Sequence, residues 1–367
     1  MRIAFIFAIL ATLLAYVGWH LWILFPLPRW GRWAMVALMV LTVVLAVATI
    51  TRYMDLLPMP VASVLYNVAQ RALVLLLYLF LLLLVADLLR LCHILPAAWL
   101  RDSWATVIVV VVLMAAVAIY GRLHYEHKAR VEISVDTHGL VARPLKMVAV
   151  SDLHLGYHNR YDDLARWIAM INDEEADFVL VAGDVIDRSL RPLRADAMDS
   201  LLRHIKAPVY ACLGNHEYYA GYYDHPAEVE RFYRDAGITL LRDSVAVLAD
   251  ENIAILGRDD RTNARRKSLK ALKTEFGIRD SLFTILLDHQ PFHLEESQRE
   301  GIGLQVSGHT HRGQVWPLTW LTDVLYECSW GVVQKGSTTV CVSSGLGIWG
   351  AKYRIGSQSE YLVIKLF

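Results

Sequence analysis

The stretch KMVAVSDLH, residues Lys146 to His154, decides the fold. It is a short apolar run that stops abruptly on Ser, Asp and His. Later stretches repeat its form: FVLVAGDVID (178–187), PVYACLGNHE (208–217), FTILLDHQP (283–291) and LQVSGHTH (304–311). Each reads as a strand that ends in Gly, Asp, Asn or His. Between the first three lie charged amphipathic stretches, YDDLARWIAMINDEEAD (161–177) and RADAMDSLLRHIKA (194–207), that read as helices. Strand–helix alternation predicts a layered α/β domain. In such sheets the polar residues at strand ends converge beyond the sheet edge.

Collected from those ends, the polar residues are Asp152, His154, Asp184, Asn215, His216, His289, His309 and His311. Alternation along a strand would put His309 and His311 on one side, so both imidazoles reach one cavity. Taken singly, a histidine at a strand end is ordinarily a cap or core residue, and an Asp after Gly is ordinarily turn chemistry. Jointly they make a set of carboxylate, imidazole and amide oxygen. That set suits Mn²⁺, Fe or Zn²⁺ better than Ca²⁺, and contains no thiolate. The set is larger than one ion requires, whereas two ions about 3.5–4 Å apart sharing a carboxylate would use it. The four cysteines, Cys92, Cys212, Cys328 and Cys341, are scattered with no CxxC pair. They read as small buried hydrophobes, not as a disulfide or zinc framework.

The ordered motifs DLH, GDVID, GNHE, LDHQP and GHTH resemble those of the calcineurin-like metallophosphoesterases, over roughly Lys146 to the C-terminus. GHTHRGQVWPL (308–318) followed by VSSGLGIWGAKYRIGSQSEYLVI (342–364) is similar to that family's bacterial, membrane-associated branch. The branch includes membrane-tethered phosphodiesterases and relatives of UDP-2,3-diacylglucosamine hydrolases. The resemblance implies a four-layer α/β/β/α sandwich. It implies that Asp152, His154 and His311 hold one metal, that Asn215, His289 and His309 hold a second, and that Asp184 bridges them. The ions implied are two divalent cations, Mn²⁺ foremost, with Fe or Zn²⁺ as alternatives. A hydroxide bridging them would attack phosphorus in line with the leaving oxygen. His216 would be the general acid or electrostatic stabiliser of the leaving group, Asp187 would orient His216, and Arg188 would bind phosphate oxygens through its planar fork. No ligand position is substituted, which argues for a catalytic copy. WGAKYRIG (349–356) stands where relatives often carry prolines, which implies a reshaped rim near Tyr353 and Arg354.

The rest of the chain is different in kind. Of 367 residues 56% are hydrophobic, and the excess is concentrated in the first 120 or so, which hold only His20 and His93 of the 14 histidines. Ile3–Phe25, Trp33–Ile50, Leu73–Leu89 and Trp104–Tyr120 approach the roughly 20 residues needed to cross a bilayer. Trp30, Trp33, Trp99 and Trp104 flank them as interfacial anchors do. A cleaved signal peptide would account for the first segment only. A buried helical core does not fit LVLLLYLFLLLLVADLL (73–89), which has no polar face. The expected organisation is therefore a bundle of four transmembrane helices over 1–122, a linker and first strand region over 123–145, and the α/β domain over 146–367. Asp87, inside the third segment, lies near Arg90 and the segment end, where it reaches the interface. With four spans, Arg2, Arg52, Arg71, Arg122, Lys128 and Arg130 share the α/β domain's side, against Arg29, Arg32, Arg90 and Arg101 opposite. The positive-inside rule then favours a cytoplasmic domain at a bacterial inner membrane.

The expected partners are a lipid bilayer and a phosphorylated, lipid-linked small molecule. A net charge of zero gives no global electrostatic preference for nucleic acid. The leading expectation is a membrane-bound dinuclear-metal phosphoesterase acting on a UDP-2,3-diacylglucosamine-like phosphodiester or pyrophosphate. The alternatives are an anchored phosphatase of soluble nucleotides or phosphoproteins, and a sensor or transporter with a regulatory phosphoesterase domain. Transport would require polar residues facing one another across the bundle, and none stands out in the sequence. Three weaker features remain. WPLTWLTDVLYECSW (316–330) is either an acyl-chain or bilayer contact or a packed lid. The basic run Arg258–Lys273 either meets anionic lipid or is a solvated face. His158, Asn159 and Arg160 form a candidate head-group loop.

Overall fold

The computed structural model describes residues 2–367, and of residues 2–10 the backbone alone. The chain divides after Leu123 into an N-terminal helical unit and a second unit, His124–Phe367.

The second unit holds twelve strands: β1 (Lys128–Val135), β2 (Leu145–Val150), β3 (Phe178–Ala182), β4 (Val209–Cys212), β5 (Thr239–Leu240), β6 (Ser244–Leu248), β7 (Ile253–Gly257), β8 (Phe283–Leu287), β9 (Leu304–Ser307), β10 (Gly331–Lys335), β11 (Thr338–Val342) and β12 (Ser359–Leu366). They form two six-stranded sheets, ordered β1-β12-β2-β3-β4-β5 and β10-β11-β9-β8-β7-β6. Strands β2, β3, β4 and β5 run parallel, as do β7, β8, β9 and β11.

Strand periodicity explains the layers. In β2, Met147 and Ala149 join a core that also holds Leu180 of β3, Ile255 of β7, Ile285 of β8 and Val306 of β9, so the two sheets pack face to face. Val148 and Val150 point the other way, into a second core with Leu164, Trp167 and Ile168. With both faces covered, strands such as β3 and β7 are apolar throughout and wholly buried. Leu269 and Leu272 cover the outer face of the second sheet against Ala254, Leu256 and Leu286. The result is the expected α/β/β/α sandwich.

An ion-pair knot ties β1 to this sandwich. Arg130 donates to both carboxylate oxygens of Glu174, at 2.7 and 3.1 Å. Lys146 lies 3.0 Å away, and the Tyr361 hydroxyl donates at 3.0 Å. The Arg130 hydrogen bonds, opposed by partial desolvation and helped by Lys146 and Tyr361, pull the Glu174 carboxyl down to about 2. In the unfolded chain it titrates near its ordinary value of about 4.3. Its contribution to stability is therefore full above that value and is lost as pH falls towards 2. The Glu174→Gln variant should show a flatter melting-temperature profile than the parent protein between these pH values. Parallel profiles would show that the knot adds nothing.

The N-terminal unit begins with α1 (Arg2–Leu24), α2 (Arg29–Thr49) and α3 (Met59–Leu91), and α4 (Trp104–Glu126) follows. Pro28 and Pro58 stand just before α2 and α3, where a missing N–H costs nothing. Val17, Met39, Val43, Leu76 and Leu83 pack between the first three helices. Many other apolar residues, such as Val44, Val68, Ile108 and Val112, face outward, as lipid contact requires. The expectation of four spans is corrected. Among the described residues three helices, α2, α3 and α4, are long and apolar enough to cross a membrane. Residues 3–10 of the expected first span have no described side chains, and Ala11–Leu24 alone is too short. The inference of a cytoplasmic domain depended on an even number of spans and falls with that count.

A second correction concerns Asp87. It does not stand alone: Tyr16 donates to its Oδ2 at 2.8 Å, His20 Nε2 lies 2.9 Å from the same oxygen, and Arg90 Nε lies 3.4 Å from Oδ1. Polar groups of α1 and α3 thus do face one another. The sequence hid this because Tyr16 and His20 stand 71 and 67 residues from Asp87.

Candidate metal centre

Every candidate ligand sits just past the end of a strand. Asp152 and His154 follow β2, Asp184 follows β3, His289 follows β8, and His309 and His311 follow β9. Asn215 follows β4 and opens a helix, α8 (Asn215–Asp224) in chain order after α5 (Tyr161–Asp173), α6 (Arg191–Ala195) and α7 (Met198–Leu202). Asp152, His154, Asp184, His309 and His311 all adopt positive φ, between 45° and 71°. The left-handed region costs a non-glycine residue roughly 1–3 kcal/mol, so this concentration is stored strain at one place. It also corrects the strand-alternation argument for the histidine pair. β9 stops at Ser307, and left-handed backbone at His309 and His311, not the pleat of a strand, aims them into the centre.

The glycines of the motifs have a steric cause. A Cβ at Gly308 would lie 2.4 Å from Asp152 Oδ2, and one at Gly214 would lie 2.1 Å from Asp184 Oδ1. Each of these candidate carboxylates occupies the space that the glycine of another motif leaves open.

Three overlapping groups of possible ligands result, one of them His154, Asp184 and His216, the other two as follows. In the first, Asp152 Oδ1 lies 3.8 Å from His154 Nε2 and 3.5 Å from His311 Nε2, and those two nitrogens are 3.1 Å apart. In the second, Asp184, His289 and His309 each place a ligand atom within 4.8 Å of the others. Asp184 Oδ2 lies 3.1 Å from His289 Nε2 and 3.7 Å from His154 Nε2, so one carboxylate oxygen faces both clusters. Ligands at about 2.1 Å from one ion lie roughly 3.0–3.6 Å from each other, close to the 3.1–3.8 Å of the first cluster.

The donors fit cations electrostatically as well. His289 Nδ1 donates to the Ala182 carbonyl at 2.7 Å, which turns Nε2 toward Asp184. A lone pair there would meet a carboxylate oxygen, so the pair is stable only with a cation between, a proton or a metal. The Asn215 Oδ1 atom is buried with no hydrogen-bond donor, an expensive state unless a cation answers it. Burial pushes the Asp152 carboxyl up, while burial and the neighbouring His154 push His311 down, towards the neutral form that ligates. Burial opposes charge on Asp184 too, but the imidazoles around it hold its carboxyl well below the ordinary range.

His216 is locked on two sides. Its backbone N–H donates to Asp184 Oδ1 at 2.9 Å, and its Nδ1–H donates to the Asp187 carbonyl. Burial disfavours the imidazolium, but Asp184 and Asp187 outweigh it and raise His216 to about 9. Asp187 does more than the sequence suggested: its Oδ1 lies 3.5 Å from His216 Nδ1 and 3.3 Å from His154 Nδ1, so it steadies two imidazoles. Arg188 stacks on Tyr219, 5.2 Å from the ring centroid, and forms no ion pair among the described residues.

The head-group reading of residues 158–160 does not hold. His158 and Asn159 are buried, and Arg160 is paired with Asp196. Asn159 instead donates to the Leu153 and His154 carbonyls and accepts from Tyr125, bracing the loop that carries Asp152 and His154. Part of the basic run is also internal, since Arg258 and Arg266 pair with Asp288.

Two structural residues escaped the sequence reading. Glu217 accepts from the N–H groups of Gly214 at 2.7 Å, Asp184 at 3.1 Å and Ile186 at 2.9 Å, and from the Tyr233 hydroxyl at 3.0 Å. A Glu three residues after a helix-capping position was its available signal. Arg354 was expected at a reshaped rim but is fully buried; it donates to the His311 carbonyl at 2.7 Å and to Ser344 at 2.5 Å. No periodicity announces such a residue.

A family model described as calcineurin-like phosphoesterase matches residues 145–313. An uncharacterized metallophosphoesterase of Bacillus subtilis, YkuE, is 30% identical over 231 residues, covering 60% of this chain and 78% of the relative. The chain belongs to the calcineurin-like phosphoesterases. Within that family it is also similar to a Danio rerio transmembrane protein with a metallophosphoesterase domain, 30% identical over 289 residues, or 72% of this chain and 63% of that protein. An uncharacterized Helicobacter pylori metallophosphoesterase is 29% identical over 264 residues, 69% of this chain and 68% of that one. The chain thus spans under two thirds of the zebrafish relative's length. Its apolar helices and these relatives place this calcineurin-like phosphoesterase among membrane-associated proteins.

Proposed function

We propose that this protein is a membrane-bound, two-metal phosphoesterase that hydrolyses a phosphodiester or pyrophosphate bond of a lipid-linked substrate. The observation that carries the reading is Asp184 Oδ2, within 3.7 Å of imidazole nitrogens in both clusters. Asp152, His154 and His311 would hold one cation, Asn215, His289 and His309 the other, and Asp184 both. The donor set suits Mn²⁺ best, with Fe or Zn²⁺ next. Two such cations would supply Lewis acidity that activates water and offsets charge on the phosphoryl oxygens. The chain's own groups do the rest. His216, held by Asp184 and Asp187, gives its proton to the leaving oxygen. Asp187 keeps His154 and His216 in fixed orientation. Arg188, its fork not committed to a carboxylate, binds a phosphate oxygen.

The lipid-linked part of the proposal, of the UDP-2,3-diacylglucosamine kind, is supported by the apolar helices and the resemblance of residues 308–364 to the membrane-associated branch. The test is hydrolysis by detergent-purified, metal-stripped protein after Mn²⁺ is restored, comparing a diacylated nucleotide pyrophosphate with a soluble phosphodiester. Mn²⁺ should restore activity, with the lipid preferred, and His216→Ala should lose 10²–10⁴-fold, the usual worth of a proton donor. Turnover of the soluble compound alone would reduce the helices to an anchor. Inactivity towards both with Mn²⁺ bound would overturn the proposal.

A further inference from the structure

The helix that follows the GHTH loop, α12 (Leu318–Leu325), is inside out; α9 (Pro226–Asp235), α10 (Leu269–Glu275) and α11 (Leu294–Arg299) precede it. At 3.6 residues per turn, Leu318, Trp320, Leu321, Val324 and Leu325 share one contiguous arc. That arc is exposed, Val324 by 83%, while the only buried residue of the helix is Thr319. A surface helix ordinarily turns its apolar stripe to the core and its polar stripe to water. Here the threonine faces in and the apolar stripe faces out, an arrangement that favours an apolar partner.

We infer that the outward face of α12 docks into the interfacial layer of an anionic bilayer, at the mouth of the metal centre. The inference rests on the lipid-linked reading for its purpose but not for its test. Several observations select a bilayer as the occupant. Tryptophan favours membrane interfaces, and Trp316 and Trp320 pack together at 5.2 Å with both exposed. Only His127 separates α4, a helix of bilayer-crossing length, from β1, so the unit that carries α12 is tethered directly to that helix.

Charge is also complementary. Arg312, beside the candidate ligand His311, stacks 4.0 Å from the Trp330 centroid, and Arg261 stacks 4.3 Å from that of Phe292. Phe292 leads through Tyr326, at 4.7 Å, to His309, at 6.2 Å. Neither arginine has a carboxylate partner among the described residues; the Arg312 fork remains for phosphate oxygens of head groups, whereas Nη1 of Arg261 is buried. The nearby acids are already engaged: Asp323 accepts from Ser329, and Glu327 pairs with Lys335. A docked α12 would bring lipid phosphates to the centre without lifting acyl chains through water.

The test uses the full chain in vesicles of phosphatidylcholine and phosphatidylglycerol, carrying a nitroxide at Val324→Cys in a Cys92→Ser background. The other cysteines are buried. Power-saturation measurements compare collisions with oxygen, which partitions into lipid, and with a water-soluble nickel chelate. Label at 324 should be open to oxygen and shielded from the chelate, and label at Tyr222→Cys, on α8 and 84% exposed, should show the reverse. Chelate access at 324 equal to that at 222 would overturn the inference. Shielding from both probes would also overturn it, since that marks a protein neighbour, such as a second copy. Neither result depends on turnover, so an inactive preparation tests docking as well as an active one.

Discussion

Replacing Asp184 with asparagine should lower phosphoester hydrolysis by roughly 10³-fold, about 4 kcal/mol of barrier, and should cost the protein at least one of its two metals. Asparagine keeps the shape and one acceptor oxygen, so His216 N–H, 2.9 Å from Oδ1, retains its partner and the fold survives. What disappears is the negative charge that faces His154 and His289 together. Without it two cations held there would repel each other with no shared counter-charge. Metal content by elemental analysis, set beside the rate, separates this account from a simple structural defect. Full metal content with full activity would remove Asp184 from the centre.

The largest effect on stability should come from Glu217→Ala. The side chain is buried and answers three backbone N–H groups and the Tyr233 hydroxyl. Each buried donor left without an acceptor costs about 1–3 kcal/mol. A loss on the order of 4 kcal/mol is a large share of the 5–15 kcal/mol that holds a typical domain together. Because Asp184 and Gly214 are among the orphaned N–H groups, the loops that carry Asp184 and Asn215 should loosen first. Glu217→Gln should be much milder, since it keeps an acceptor, and burial and then the Asp184 charge already push the Glu217 carboxyl up, toward the neutral form. Denaturant titration of both variants decides the matter. Equal stability of Glu217→Ala and the parent protein would contradict this role.

These two positions show where the sequence is legible. Asp184 could be read because its chemistry repeats: the same abrupt strand end recurs at Asp152, His289 and His309, and a shared register of polar ends implies a shared site. The α/β/β/α layering was readable for a similar reason, since strands buried on both faces are apolar without interruption. Glu217 and Arg354 were not readable in the same way. Their partners are mostly backbone groups of distant loops, and backbone leaves no mark on sequence. The strand alternation expected of His309 and His311 is replaced by left-handed backbone, which imitates the spacing of a strand. The span count failed at α1 because apolar length was judged for a segment of which only Ala11–Leu24 has described side chains. The Tyr16–His20–Asp87 contact joins helices whose adjacency no local pattern encodes.

The central claim is that two cations share Asp184. Its most direct test is electron paramagnetic resonance of the full protein loaded with Mn²⁺, with the metal counted per chain. The account expects two Mn²⁺ per chain and the broadened, exchange-coupled spectrum of neighbouring ions, which collapses in Asp184→Asn. One Mn²⁺ per chain with the sharp spectrum of an isolated ion, unchanged by that substitution, would contradict it.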